Sequence, residues 1–126
     1  MKHLCIALLI LAVCLAFCIW SASYIRQTAA PALDALRLAR VQASRDDFSA
    51  ALDAVEQASA LWQQHEAVYC TLLHHDETDG VKESFAVLRE QAARAESDDF
   101  ADTCAALITK LQHIRAMQQP NLANIF

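Results

Sequence analysis

The side chains best able to do chemistry sit close together: His65, then His74, His75, Asp76, Glu77 and Asp79. Imidazole and carboxylate are ligands of zinc and manganese, so a ligand- or metal-sensing bundle using the region from His65 to Asp79 is one reading of this stretch. The spacing argues against it. His74 and His75 are adjacent, and on a helix they diverge by about 100°. Neither an HExxH motif nor a paired ExxH motif is present. Carboxylates at this point equally suit a helix start, where the dipole favours negative charge. We expect a capped corner between two helices and no cofactor; His74, His75, Asp76 and Asp79 are the metal candidates should the corner hold an ion.

A second set is Trp62, His65, Tyr69, Leu72 and Asp76, which fall along one helical stripe. Such a stripe makes either an aromatic recognition groove or a core, and a small bundle needs its aromatics inside. Core is the expectation. Cys5, Cys14 and Cys18 belong to an apolar run, while Cys70 and Cys104 stand apart from it. Antiparallel helices would hold those two at different heights, too far apart for a disulfide, so two free thiols are expected. A Cys70–His113 nucleophile pair would lack an oxyanion donor and a Gly-rich loop. With no nucleophile, base and stabiliser together, the chain reads as a non-enzyme.

The elements that must hold these residues are helices. The 126 residues include one Gly and two Pro, too few turn formers for a many-stranded fold. From Asp47 to His75 there is neither, and Phe48, Leu52, Val55, Ser59, Trp62, Tyr69 and Leu73 recur at steps of three, four or seven. The spacing predicts one continuous helix over Asp47–His75, about 43 Å long. The net charge is −5, and nine Lys/Arg face fifteen Asp/Glu beyond Ile25. That acidic balance lacks the footprint of a nucleic-acid binder.

Leu4 to Trp20 is an unbroken apolar run, and Ser21–Ile25 extends it to about the ~20 residues that cross a bilayer. Trp20 and Tyr24 near its end suit the membrane interface. A cleaved signal peptide would have a shorter apolar core, so residues 1–25 are expected to stay as a membrane anchor of signal-anchor type. Lys2 favours a cytoplasmic N-terminus, although Arg26, Arg37 and Arg40 count the other way. The reading is a single-pass cell-membrane protein with an extracytoplasmic domain, residues 26–126.

Within that domain Thr28 reads as a helix cap and Pro31 as a first-turn residue, with either a bend or a break at Pro31. Leu33, Leu36 and Ala43 share a face, and the helix should end near Ser44. Asp46 reads as the cap of the next helix and Asp76 as the cap of the one after His75. Val81, Phe85, Leu88, Ala92 and Ala95 make a third stripe, and Phe100, Cys104, Leu107, Leu111 and Ile114 a fourth. The phrase Asp46-Asp47-Phe48 recurs as Asp98-Asp99-Phe100, which reads as two helix starts. Pro120 should stop the last helix, and Leu122, Ile125 and Phe126 should dock on the bundle. The fold class is all-α: a transmembrane helix followed by a small up-down helical bundle.

The order Trp62-x-x-His65, His75-Asp76-Glu77-x-Asp79-x-Val81 and Asn124-Ile125-Phe126, behind an apolar N-terminal helix, resembles the bacterial domain-of-unknown-function 4363 family. Trp62, His65, Tyr69, His75, Asp79 and Asn124 are the candidate interaction or core signature. The resemblance implies a small, helical, membrane-anchored protein of Gram-positive, often spore-forming, bacteria, with no assigned activity. Together these readings favour a non-enzymatic interaction module whose partners are the lipid bilayer and another protein, with a second membrane protein as a candidate, and no nucleic acid.

Overall fold

The computed structural model describes residues 1–117. The stop at Pro120, the docking of Leu122, Ile125 and Phe126, and Asn124 lie outside the described residues. Among the described residues there are five helices and no strand: α1 Lys2–Ser44, α2 Phe48–Gln64, α3 Glu66–Leu72, α4 His75–Ala93 and α5 Ser97–Met117. The fold class is therefore all-α, as the spacing of apolar residues predicts.

Helix α1 runs 43 residues, about 64 Å at 1.5 Å per residue. It passes through Pro31 without a break. Pro31 and Gln27, whose carbonyl loses its partner there, are both exposed, so water can satisfy what the ring forfeits. Thr28 is not a cap: it lies inside the helix, and its hydroxyl donates to the Tyr24 carbonyl at 2.7 Å. The helix has two characters. Up to Trp20 every side chain is exposed, whereas from Ser21 onward Ile25, Ala29, Leu33, Leu36, Ala39 and Ala43 are buried. By length and composition α1 is a candidate membrane span.

The ends of α1 and α4 share one geometry. Asp46 and Ala95 have φ of 58° and 54°. At the first end the Asp46 and Asp47 N–H groups bond the Ala43 and Gln42 carbonyls; at the second, Ala95 and Glu96 bond Ala92 and Gln91. Both are left-handed helix stops that satisfy the last carbonyls. Asp46 is thus the stop of α1, not the cap of α2. Asp47 is the cap, its carboxylate accepting from the Ala50 N–H at 3.1 Å. The structural repeat pairs Asp46 with Ala95, whereas the repeated phrase pairs Asp46 with Asp98, which lies in the first turn of α5. Ala95 leaves the α4 stripe for the same reason: it is past the helix end and exposed.

The expected single helix over Asp47–His75 is two helices and a corner. Helix α2 ends at His65, which has φ −113° and ψ 7°, and α3 ends at Leu73, which is extended. No Gly or Pro marks the break; tertiary contacts around His65, described below, override the local preference. His74 is the N-cap position of α4, and Asp76 and Glu77 lie in its first turn, so Asp76 is not the cap.

Three-residue links turn α1 into α2 and α4 into α5. Helix α1 packs against α2 and α5, and α4 packs against the same two, so the four long helices form a ring in the order α1, α2, α4, α5. This is an up-down bundle. Its core contains Trp62, Tyr69, Phe85 and Phe100, with Leu33, Leu36, Leu88, Leu107 and Leu111 between them. Alanines 51, 54 and 58 of α2 are also fully buried. Small side chains there let α2 approach its neighbours closely.

Candidate functional site

Chemistry-bearing side chains gather where the apolar part of α1 enters the bundle. The Tyr24 hydroxyl and His65 Nδ1 are hydrogen-bonded at 2.6 Å. One turn further along α1, the Thr28 hydroxyl is bonded to the Tyr69 hydroxyl. The two pairs have the same separation of 41 residues. Between antiparallel helices, partner numbers fall on one side as they rise on the other. Here they rise together, so the chain has changed direction at His65.

That change of direction sets the aromatic geometry. Two turns of uninterrupted helix would put Trp62 and Tyr69 about 10.5 Å apart along the axis. Their ring centroids are 4.5 Å apart. The Tyr24 ring meets His65 edge-on at 5.4 Å and Tyr69 edge-on at 6.3 Å. On its other side Tyr24 meets Trp20 at 5.4 Å, and Trp20 meets Phe17 at 5.9 Å. Rings therefore run without a gap from the exposed apolar segment into the core. Burial holds the Tyr69 hydroxyl above its ordinary pKa; the bond to Thr28 pulls the other way, and Tyr24 pushes further up.

Trp62 and Tyr69 are core residues, as expected of the stripe, but the stripe itself does not continue. His65 is half-buried at the break, Leu72 is partly buried, and Asp76 is exposed on α4. His74, His75 and Asp79 are also exposed. Among the described residues no three His, Cys, Asp or Glu side chains are grouped so as to hold a metal ion. Cys70 is half-buried and Cys104 buried, both as free thiols. The Cys104 thiol donates to the Leu36 carbonyl at 3.3 Å.

A polar groove of about 310 Å³ separates α2 from α4, lined by Ser59, Trp62, Gln63, Glu66, Lys82, Phe85 and Arg89. Arg89 spans it, with Nε on Glu56 at 2.6 Å and Nη2 on the Ser59 hydroxyl at 2.6 Å. Lys82 pairs with Glu66. The charges of this groove are met within the chain. The Trp62 indole N–H is buried and, among the described residues, has no hydrogen-bond partner.

Sequence reasoning misses Tyr24 and Thr28 as site residues, because their positions read as a membrane-interface ring and a helix cap. Their i, i+4 spacing matches that of His65 and Tyr69, and this matched spacing is the only trace of the pairing in the sequence.

A family model described as a domain of unknown function (DUF4363) matches residues 19–125. The match begins at the end of the exposed apolar run and takes in the whole ring of helices. No curated protein and no solved structure matches the chain.

Proposed function

The chain belongs to the DUF4363 family, and from that premise we propose that it is a single-pass membrane protein whose helical bundle binds another protein and catalyses nothing. One observation carries this reading. Leu8, Leu9, Ile10, Val13, Ile19 and Trp20 are all more than half exposed on a helix that continues unbroken into a well-packed core. An apolar surface of that extent needs a lipid or protein cover. The exposed run from Leu4 to Trp20 is about 25 Å long, close to the ~30 Å of hydrocarbon in a bilayer.

The joint around Tyr24 supports the interaction role. Because α1 is one rod, a tilt or rotation of its apolar half is carried directly to the bundle. The Tyr24–His65 and Thr28–Tyr69 bonds tie that rod to the corner at His65. The bundle sits outside the cytoplasm in this proposal, with Lys2 on the inner side.

Carbonate-washed membranes should retain the full chain, and a reporter fused after Phe126 should read the outer side. Full-length chain in the soluble fraction would sink the anchor. Pull-downs from solubilised membranes that return only this chain, over several detergents, would remove the separate partner.

A further inference from the structure

We propose that two copies of this chain meet side by side across the α1–α5 face, about a two-fold axis running along the bundle. The face holds a groove of about 610 Å³ between Arg37, Arg40 and Val41 on α1 and Ala105, Ile108 and Thr109 on α5. Val41 is 45% exposed there, beside an apolar floor. Its α1 wall is basic, and the α5 residues that line the groove are uncharged. The α1 wall presents Arg37 and Arg40. Beyond the groove on α5, Asp98 and Asp102 lie two turns before Ala105 and Thr109, on the same helical stripe, and both are exposed.

Within the described residues Arg40, Asp98 and Asp102 form no ion pair, and Arg37 meets only Asp34 on its own helix, at 3.3 Å and in water. The heights match. The Cys104–Leu36 bond fixes α5 against α1, and Arg40 lies near enough to Cys104 to act on its thiol. Helices α1 and α5 are antiparallel, so one turn on from Leu36 is Arg40, and one turn back from Cys104 reaches Phe100. Phe100 is thus at the height of Arg40, and Asp102, two residues nearer Cys104, is offset from that level by about 3 Å.

A two-fold axis along the bundle preserves height and exchanges the walls. Arg40 of each copy then faces Asp102 of the other, as a self-complementary interface requires. Neither the α2–α4 groove nor the α1–α2 groove has this property. The α2–α4 groove is internally paired, and the α1–α2 groove has Asp34 as its single charge among Pro31, Ala35, Leu38, Gln57 and Leu61. The parallel arrangement rests on the anchored reading, because two chains held in one bilayer from the same side are parallel.

The test is the mass of the full chain in detergent micelles, by light scattering, with far-UV circular dichroism as the folding check. Wild type should be a dimer. Arg40→Asp should weaken dimerisation at least tenfold, and Arg40→Asp with Asp102→Arg in one chain should restore it. Val41→Lys, at an exposed site that costs the monomer little, should also dissociate the pair, and it decides the matter if Arg40→Asp loses helix. A monomeric wild type, a mass indifferent to Arg40→Asp, or a swap that fails to restore the dimer would overturn the proposal. Solubility without detergent would instead count against the anchor, leaving the dimer measurement intact.

Discussion

Tyr24 and His65, 41 residues apart, are joined by a 2.6 Å hydrogen bond at the point where α1 leaves its exposed apolar segment and α2 ends. The bond holds both the lower end of the bundle and the corner that brings Tyr69 over Trp62. Tyr24→Phe keeps the ring contacts and removes the hydroxyl, leaving the half-buried His65 nitrogen without its partner. The expected cost is about 0.5–1.5 kcal/mol, the net worth of one such bond. Thermal unfolding of the full chain in detergent should show a lower midpoint. Thr28→Val should act in the same direction, and the double variant should depart from additivity because both bonds fix one corner. An unchanged midpoint in all three would mean the joint carries no stability.

The all-α fold class and most of the core were legible from periodicity. Leu33 and Leu36, Val81, Phe85 and Leu88, and Phe100 through Ile114 are buried on the faces their spacing assigns. The corner at His65 was not. Its cause is a set of contacts with Tyr24 and Thr28, far away in sequence, and no Gly, Pro or cap residue announces it. The stops at Asp46 and Ala95 were misread for a related reason. A left-handed helix end usually carries Gly or Asn, and here the positions are filled by residues that look like a cap and a core alanine. The shared phrase Asp-Asp-Phe hides different roles: Asp46 is a helix stop and Asp47 a cap, whereas Asp98 and Asp99 lie in the first turn of α5.

Ala95→Gly should stabilise the protein. Ala95 adopts φ 54°, where its Cβ crowds the backbone. That conformation costs an L-residue about 1–2 kcal/mol, and glycine recovers part of it while adding unfolded-state freedom. A net gain of about 1 kcal/mol is expected in urea unfolding. Asp46→Gly should gain less, because a short polar side chain tolerates this region better than alanine does. Equal gains at both sites would contradict this account of the two stops.

Gly80→Ala should also stabilise, by a different route. Gly80 lies inside α4, and a methyl group built there would meet Lys110 Nζ at 2.7 Å and little else. Lys110 is exposed and its side chain can swing away. The change then yields the helix-interior preference of alanine over glycine, about 0.5–1 kcal/mol. A lower melting temperature would show that Lys110 is held against Gly80 by something worth more than that preference.

Alkaline pH should loosen the bundle through Cys104. Burial pushes its thiol from the ordinary 9.0 up to about 11, against the opposing pull of Arg40. A raised folded-state pKa means that, between these values, the folded chain keeps a proton that the unfolded chain releases. Stability then falls as pH rises. The contribution is complete below pH 9 and is lost progressively as pH climbs through about 11. Tyr69, also raised by burial, adds a loss of the same sign above its ordinary value near 10.0. Denaturant midpoints measured from pH 8 to 11 should decline, and Cys104→Ala should flatten the part that begins near 9. The same burial should protect the thiol chemically. Iodoacetamide added to the folded chain should modify half-buried Cys70 well before Cys104, and comparable rates at the two would place Cys104 at the surface instead of against the Leu36 carbonyl.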